Sequence, residues 1–182
     1  MSSPGAEVVT IPARITAQGL ADVIKRDVSE VSAILKARQE PDGVEDILSA
    51  ELAVKAAKAL GVTVVIEARD LTLEYLYTYE AVGEIVEKPE GRAGHLFDGV
   101  TSRVDELDAR IEAASEHWSV ARMPIVDRNI LRIGLYELEH DRDTPTAVVI
   151  AEAVRMAQTY STERSGSFVN GVLAALAKNV RG

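Results

Sequence analysis

Residues 125–139 read IVDRNILRIGLYELE, and this stretch decides the fold of the 182-residue chain. Apolar side chains cover most of its circumference when it is drawn as a helix, which predicts a helix inside a bundle. Few polar positions remain, and we expect them to form its exposed strip: Asp127, Arg128, Arg132 and Glu139. The chain therefore needs further helices to surround this one.

Three other segments supply candidate neighbours. Apolar residues recur at steps of three and four from Phe97 to Ala114, which predicts one long helix. Thr144-Pro145 predicts the start of another helix, because proline suits the first helical position. The last helix follows Ser165-Gly166-Ser167 and repeats apolar residues at helical spacing as far as Val180. Residues 81–97 contain three glycines and a proline, and we interpret them as mostly loop.

The front of the chain has a different pattern. Residues 8–11 (VVTI) and 62–66 (VTVVI) are β-branched and predict two short strands. Three helices are predicted between the strands, with Thr16 capping the first and Asp27 and Glu30 forming a capping box on the second. The predicted organisation is a disordered start at residues 1–6, a small domain at 7–67 and a helical domain at 68–182.

Composition limits the possible functions. The net charge is −9, divided as −2 over residues 1–69 and −7 over residues 70–182, which argues against strong unaided binding to nucleic acid. The chain has no cysteine, which excludes disulfides and thiolate chemistry. No apolar run approaches the ~20 residues of a membrane span, and the amino terminus lacks the pattern of a secretion signal, so we expect a cytoplasmic protein without membrane contact.

No catalytic signature is present in the sequence. The three histidines are far apart, whereas a zinc site needs three or four ligands. No phosphate-binding glycine loop, dinucleotide loop or serine elbow occurs. We therefore expect no enzymatic activity, no cofactor and no metal.

Four blocks in the last third resemble the NusB family of bacterial transcription antitermination factors. They are residues 125–138, Thr144-Pro145, residues 151–154 (AEAV) and residues 168–173 (FVNGVL). The resemblance covers about residues 68–182 and implies a mainly α fold, a NusB-like helical bundle behind a small mixed α/β domain. It also implies a non-enzymatic adaptor that binds boxA-type RNA weakly alone, and better with a NusE-like ribosomal protein, within a transcription elongation complex.

The same resemblance implies roles for individual residues. Arg69 and Tyr77 match the last arginine and the tyrosine of the first family helix, which lies against RNA. Phe168 and Asn170 would lie beside the RNA-facing end of the bundle. Asp127 and Arg128 are the candidates for contact with the protein partner. An aromatic residue is also usual in the family near the position of Trp118.

One departure from the family keeps a second hypothesis open. Residues 64–68 (VVIEA) are apolar and acidic where the family has several arginines ahead of Arg69. Each contact between a basic side chain and a phosphate adds to affinity, so their loss weakens RNA binding. The alternative function is a protein–protein interaction module that has lost RNA binding.

The front domain carries a resemblance of its own. Residues 15–21 (ITAQGLA), 30–36 (EVSAILK) and 51–61 resemble the small domain that precedes the GTPase module of bacterial translation initiation factor two. The GTPase module itself is absent from the sequence. A helix-turn-helix over residues 20–35 is the other interpretation, but its second helix has no basic residue ahead of Lys36.

Overall fold

The structure is a computed structural model that describes residues 8–83, 88–115 and 118–182. The predicted disordered start at residues 1–6 lies outside the described residues, as do residues 84–87 of the predicted loop. The chain divides into two compact units, Met1–Leu71 and Thr72–Gly182. The division falls four residues after the predicted boundary at residue 67, inside a helix that spans Ala68–Val82.

The first unit has two strand pairs and three short helices. The strand β1 (Val8–Ile11) pairs in parallel with β4 (Thr63–Ile66), and β2 (Arg14–Thr16) pairs antiparallel with β3 (Ile47–Ser49). The elements run in the order β1 Val8–Ile11, β2 Arg14–Thr16, α1 Ala17–Val23, α2 Val28–Ala37, β3 Ile47–Ser49, α3 Ala50–Ala59 and β4 Thr63–Ile66.

Side chains at the helix ends explain where the helices of the first unit begin. Thr16 Oγ1 accepts from the backbone N–H of Gly19 at 3.0 Å, and Asp27 and Glu30 form the predicted capping box at the start of α2. Gly61 follows α3 with a φ of 77°, a conformation that favours glycine. The predicted caps at Thr16 and Asp27 are confirmed, whereas β2 and β3 were not predicted because three-residue strands carry little periodicity.

The second unit is helical throughout its described part. Its elements are the remainder of α4 Ala68–Val82, then α5 Gly91–Thr101, α6 Val104–Ala114, a 3₁₀ turn Val120–Arg122, α7 Ile125–His140, α8 Thr146–Tyr160 and α9 Ser165–Arg181. α7 packs against α5, α6, α8 and α9. Its apolar residues Ile130, Leu131, Ile133, Leu135 and Leu138 are at most 1% exposed, which confirms that α7 is the central helix.

Two predictions for the second unit are wrong. The expected single helix from Phe97 to Ala114 is broken into α5 and α6 at Ser102 and Arg103. The hydroxyl groups of Thr101 and Ser102 donate back to carbonyls within α5, which competes with continuation of the helix. α5 begins at Gly91, so the expected loop over residues 81–97 is partly helical.

Candidate nucleic-acid interface

A pocket of about 330 Å³ lies at the amino end of α7, where that helix meets the start of α9 and the segment after α6. Ligand pockets in proteins commonly enclose roughly 300 to 1,000 Å³. Its floor and walls include Trp118, Met123, Pro124, Asp127, Ser165 and Phe168.

Two aromatic rings form one wall of this pocket. Trp118 and Phe168 meet edge to face, with ring centroids 6.4 Å apart and an interplanar angle of 61°. Trp118 is 58% exposed and Phe168 is half-buried. Most aromatic side chains are buried and pack in a core. An exposed tryptophan beside a second aromatic side chain is instead available for stacking.

A buried carboxylate lies on the floor of the pocket. Asp127 is 4% exposed, and Ser165 Oγ donates to its Oδ2 at 2.9 Å. Asp127 Oδ1 is also buried and has no hydrogen-bond partner among the described residues. A buried carboxylate oxygen without a donor costs free energy, so this oxygen destabilises the fold unless a further group donates to it.

One arginine lines the pocket, and a second is next in sequence to a lining residue. Arg164 lines it at the start of α9, and Arg122 immediately precedes the lining residue Met123. Both side chains are exposed, and neither forms an ion pair with an acidic residue in the described parts of the chain. The lining of the pocket therefore combines the acidic Asp127, two aromatic rings and the basic Arg164.

A charge network lies beside the pocket and fixes α7. Arg128 Nε donates to Glu80 Oε2 at 2.8 Å, and Arg132 donates to Glu80 and, at 2.7 Å, to Asp108. Burial disfavours the charged guanidinium of Arg132, but its hydrogen bonds and ion pairs with Asp108 and Glu80 outweigh this and raise its pKa. The network joins α7 to α4 and α6.

The prediction of an exposed strip on α7 is wrong for two of its four residues. Asp127 and Arg132 are 4% and 6% exposed. Each finds polar partners on another helix, so burial does not leave the group wholly unpaired. Arg128 is partly buried against Glu80, so the two residues predicted to contact a protein partner sit in different surroundings.

The four residues predicted to bind RNA also differ in their surroundings. Arg69 lies in the first unit, where it is 7% exposed and pairs with Glu67 at 3.3 Å. Tyr77 is 47% exposed on α4. Phe168 is in the pocket wall, and Asn170 is exposed two residues later on α9. The structure brings Phe168 together with Asp127 at the pocket.

Sequence reasoning missed several residues of this site. Trp118 was noted without a role, and Arg122, Arg164 and Ser165 were given no binding role. Trp118 could have been found as the only tryptophan of the chain, in a connection rather than in an apolar stripe. The two arginines carried no such signal, because only the structure shows which cations lack acidic partners.

Within the described residues there is no group of three or more histidine and acidic side chains that could hold a metal ion. No described helix has the length and apolar character that crossing a membrane requires.

Comparison with known proteins places this geometry in context. The model of the NusB family matches residues 50–178, from the start of α3 to the last turn of α9. A transcription antitermination protein NusB from Sorangium cellulosum is 38% identical over 126 residues, covering 62% of this chain and 90% of that protein.

Solved structures show the same similarity. NusB from T. maritima is 31% identical with a TM-score of 0.58, covering 63% of this chain and 91% of that one. A crystal structure of antitermination factors NusB and NusE in complex with dsRNA matches with 29% identity and a TM-score of 0.54, covering 62% of this chain and 94% of that one. The family model covers well over half of the residues, and the chain belongs to the NusB family.

Proposed function

We propose that this chain is a cytoplasmic, non-enzymatic adaptor in transcription antitermination and ribosomal RNA biogenesis, which binds boxA-type RNA together with a NusE-like ribosomal protein in a transcription elongation complex. Family membership supports the role, and the relative solved with NusE and dsRNA supports both partners. One observation of this chain carries the RNA part: the exposed Trp118 meets the half-buried Phe168 in a pocket that Arg164 also lines, and neither Arg164 nor the nearby Arg122 forms an ion pair in the described parts of the chain.

The two arginines matter because the usual basic start is missing. Arg69 is buried against Glu67, so it adds little free positive charge to attract phosphate. Exposed guanidinium groups without acidic partners keep their full attraction for phosphate. RNA is thus held by Trp118, Phe168 and the two arginines, with Asn170 on α9 and Tyr77 on α4 as further predicted contacts.

Asp127 and Arg128 remain the predicted contact for the protein partner. Arg128 would exchange part of its pairing with Glu80 for a partner carboxylate. We further propose that residues 7–67 form a domain like that of initiation factor two, on the basis of the resemblance already described and the two strand pairs with three short helices.

The alternative is a protein interaction module without RNA binding. The net charge of −9 and the pairing of Arg69 with Glu67 favour it. Titration of a boxA-type RNA, with and without a NusE-like protein and at two salt concentrations, separates the two. Salt-sensitive binding that the partner enhances supports the adaptor, and no binding under either condition supports the module.

A double variant, Arg122→Gln with Arg164→Gln, tests the residues that carry the proposal. Each phosphate contact to single-stranded RNA contributes about 0.7 to the slope of log affinity against log salt, so the slope should fall by about 1.4. The matched control is Arg142→Gln with Lys178→Gln. These two exposed cations lie at the other end of the bundle, about 24 Å along α7, and should leave the slope unchanged.

A further inference from the structure

The start of β3 and the loop before it expose two aliphatic side chains in the first unit, away from the residues proposed to contact RNA. Ile47 is 59% exposed and Val44 is 45% exposed. Single exposed apolar residues are common on protein surfaces, but these two lie three positions apart among acidic residues. Residues 40–47 (EPDGVEDI) contain four acidic residues and no basic one. The loop therefore combines exposed aliphatic side chains with negative charge.

Contacts with β2 and α1 place the two aliphatic residues on one surface. The backbone N–H of Gln18, in the first turn of α1, donates to the carbonyl of Val44 at 3.0 Å. Ile47 lies opposite Thr16 in the antiparallel pair of β2 and β3, and opposite residues of such a pair point to the same face. Thr16 caps α1, so Val44 and Ile47 both lie beside the start of that helix.

The loop is held in place before any partner arrives. Asp46 Oδ2 accepts from the backbone N–H of Gly43 at 2.8 Å, and the backbone N–H of Asp46 donates to the carbonyl of Gly43 at 3.0 Å. Ser32 Oγ donates to the carbonyl of Asp42 at 2.9 Å, which ties the loop to α2. A surface that is already ordered loses little conformational entropy when a partner docks.

The carboxylates of this surface are not neutralised by the chain itself. Asp42 and Glu45 are exposed and form no ion pair within the parts of the chain that the structure describes. Asp22, one turn along α1, accepts from the side-chain amide of Gln18 at 2.7 Å. Arg14 lies at the other end of the β2–β3 pair from Ile47. The local potential is therefore negative and attracts a cationic segment.

We propose that the acidic-aliphatic surface, formed by Asp22, Asp42, Val44, Glu45 and Ile47, docks a basic segment of a partner protein that also carries aliphatic side chains. The aliphatic side chains of the partner cover Val44 and Ile47, and its lysines or arginines pair with the carboxylates. Protein interfaces commonly combine an apolar centre with a polar rim, and complementary charge speeds association and fixes the register. The inference goes beyond the proposed function and does not depend on RNA binding.

Charge distinguishes this partner from two other occupants. A nucleic acid would bring its phosphates to the carboxylates of Asp42 and Glu45, which repel them. A second copy of this chain has a net charge of −9 and would meet the same repulsion. A partner segment that is both basic and partly aliphatic matches the charge and the apolar character of the surface.

The experiment titrates the full chain into two labelled synthetic peptides of equal length and charge, one alternating lysine with leucine and the other alternating lysine with serine. Fluorescence anisotropy measures affinity, and the NMR methyl signals of Val44 and Ile47 report where the peptide binds. The lysine–leucine peptide should shift both signals and bind about tenfold more tightly than the lysine–serine peptide, because only leucine buries apolar area. Absence of binding, or equal affinities for the two peptides, overturns the proposal.

Val44→Thr combined with Ile47→Thr tests the aliphatic part of the surface. Threonine keeps the β-branched shape but has less apolar area, and each buried methylene contributes about fourfold to affinity, so the lysine–leucine peptide should bind about tenfold more weakly. Val65→Thr is the matched control, since Val65 is 44% exposed in the other strand pair of the same unit. It should leave the affinity unchanged, and an equal loss in the control would contradict the proposal.

Asp42→Asn combined with Glu45→Gln tests the carboxylates. Loss of two exposed charge pairs should weaken binding of the lysine–leucine peptide about fivefold at low salt, and the difference should disappear at high salt. Glu106→Gln with Asp143→Asn is the control, because it removes the same charge from exposed positions of the second unit. Equal losses in the two double variants would show that the peptide responds only to net charge, and the proposal would be wrong.

Two further outcomes assign the surface to another occupant. If the chain forms dimers that Val44→Thr with Ile47→Thr abolishes, the surface takes a second copy and the inference is wrong. If either double variant of the surface weakens binding of boxA-type RNA and leaves peptide binding unchanged, the surface belongs to the RNA site and the inference is again wrong. Failure of the peptide to bind, with binding of boxA-type RNA intact, overturns the inference and leaves the proposed function in place.

Discussion

The two ends of α7 are built in opposite ways. At the amino end, Asp127 is buried near an exposed tryptophan, and one of its oxygens has no donor among the residues that the structure describes. At the carboxyl end, the guanidinium of Arg181 donates to the carbonyl oxygens of Glu137, Leu138 and Asp141 at 2.9, 2.7 and 2.5 Å. The amino end thus holds a buried polar atom without a described donor, whereas several backbone carbonyls at the carboxyl end accept hydrogen bonds from Arg181.

This difference follows from what a helix end requires. The last carbonyls of a helix have no partner within it, and a cation there also opposes the negative end of the helix dipole. Arg181 lies in the last turn of its own helix, α9, but its guanidinium reaches the end of α7 and donates to the carbonyl of Thr144 at 2.7 Å. These contacts stabilise the carboxyl end of α7, whereas the amino end is where we propose that RNA binds.

Arg181→Ala removes the contacts at the carboxyl end of α7 and should have the largest effect on stability. It removes four charge-assisted bonds to carbonyls and leaves those groups partly buried, which should lower the free energy of unfolding by about 2 to 3 kcal/mol. Urea unfolding of the full chain, followed by Trp118 fluorescence, measures it within the helical unit.

Arg142→Ala is the control for this variant. Arg142 is exposed near the same helix end and has no ion pair in the described parts of the chain, so its loss should change stability by less than about 0.5 kcal/mol. Equal effects of the two substitutions would show that the carbonyl contacts of Arg181 do not stabilise the bundle.

Trp118→Ala changes the amino end of α7 and should have the next largest effect, on RNA binding rather than on stability. Loss of one stacking surface costs about 1 to 3 kcal/mol per base, so affinity for a labelled boxA-type RNA should fall about tenfold, measured by fluorescence anisotropy. Because Trp118 is 58% exposed, the unfolding midpoint in urea, followed by circular dichroism, should hardly change. A large loss of stability with unchanged affinity would show that Trp118 stabilises the fold and does not bind RNA.

Much of the fold could be predicted because it depends on local patterns. The strands at Val8 and Thr63, the capping box at Asp27 and the central helix all follow from spacing within a few residues. The break at Ser102 was missed because the apolar period of α5 continues into α6 across it. Periodicity identifies which face is apolar, but it does not show whether the backbone between two turns stays helical.

The site was harder to predict because the residues that contact each other there are far apart in the sequence. Arg132 pairs with Asp108, 24 positions away, and with Glu80, 52 positions away. Asp127 is held by Ser165, 38 positions away. A charged residue with such partners can be buried, so its polarity alone wrongly indicated an exposed strip. The resemblance to the NusB family supplied Phe168 and Asp127, but not Arg122 and Arg164.

Thr144→Val should have the smallest effect on stability, and it tests one contact at the carboxyl end of α7. The pKa of Asp141 is lowered chiefly by the Thr144 hydroxyl, which donates to its Oδ2 at 2.8 Å; burial opposes this, and the backbone N–H of Thr144 and the charge of Arg92 add to it. Valine keeps the shape and removes the hydroxyl, so the pKa of Asp141 should rise towards the ordinary value of about 3.9, as measured by NMR titration.

The effect of Thr144→Val on stability has a defined dependence on pH. A carboxyl whose pKa is lowered by folding stabilises the folded state above its unfolded pKa, and this contribution disappears as the pH falls through the folded value. The variant should therefore lose a few tenths of a kcal/mol at neutral pH, since the carboxylate is partly exposed, and the pH-dependent part of that difference should vanish at strongly acid pH. Its affinity for RNA should not change, because the substitution lies about 24 Å along α7 from the pocket. An unchanged pKa of Asp141 would show that the Thr144 hydroxyl does not lower it. A weakened affinity for RNA would show that the two ends of α7 are coupled.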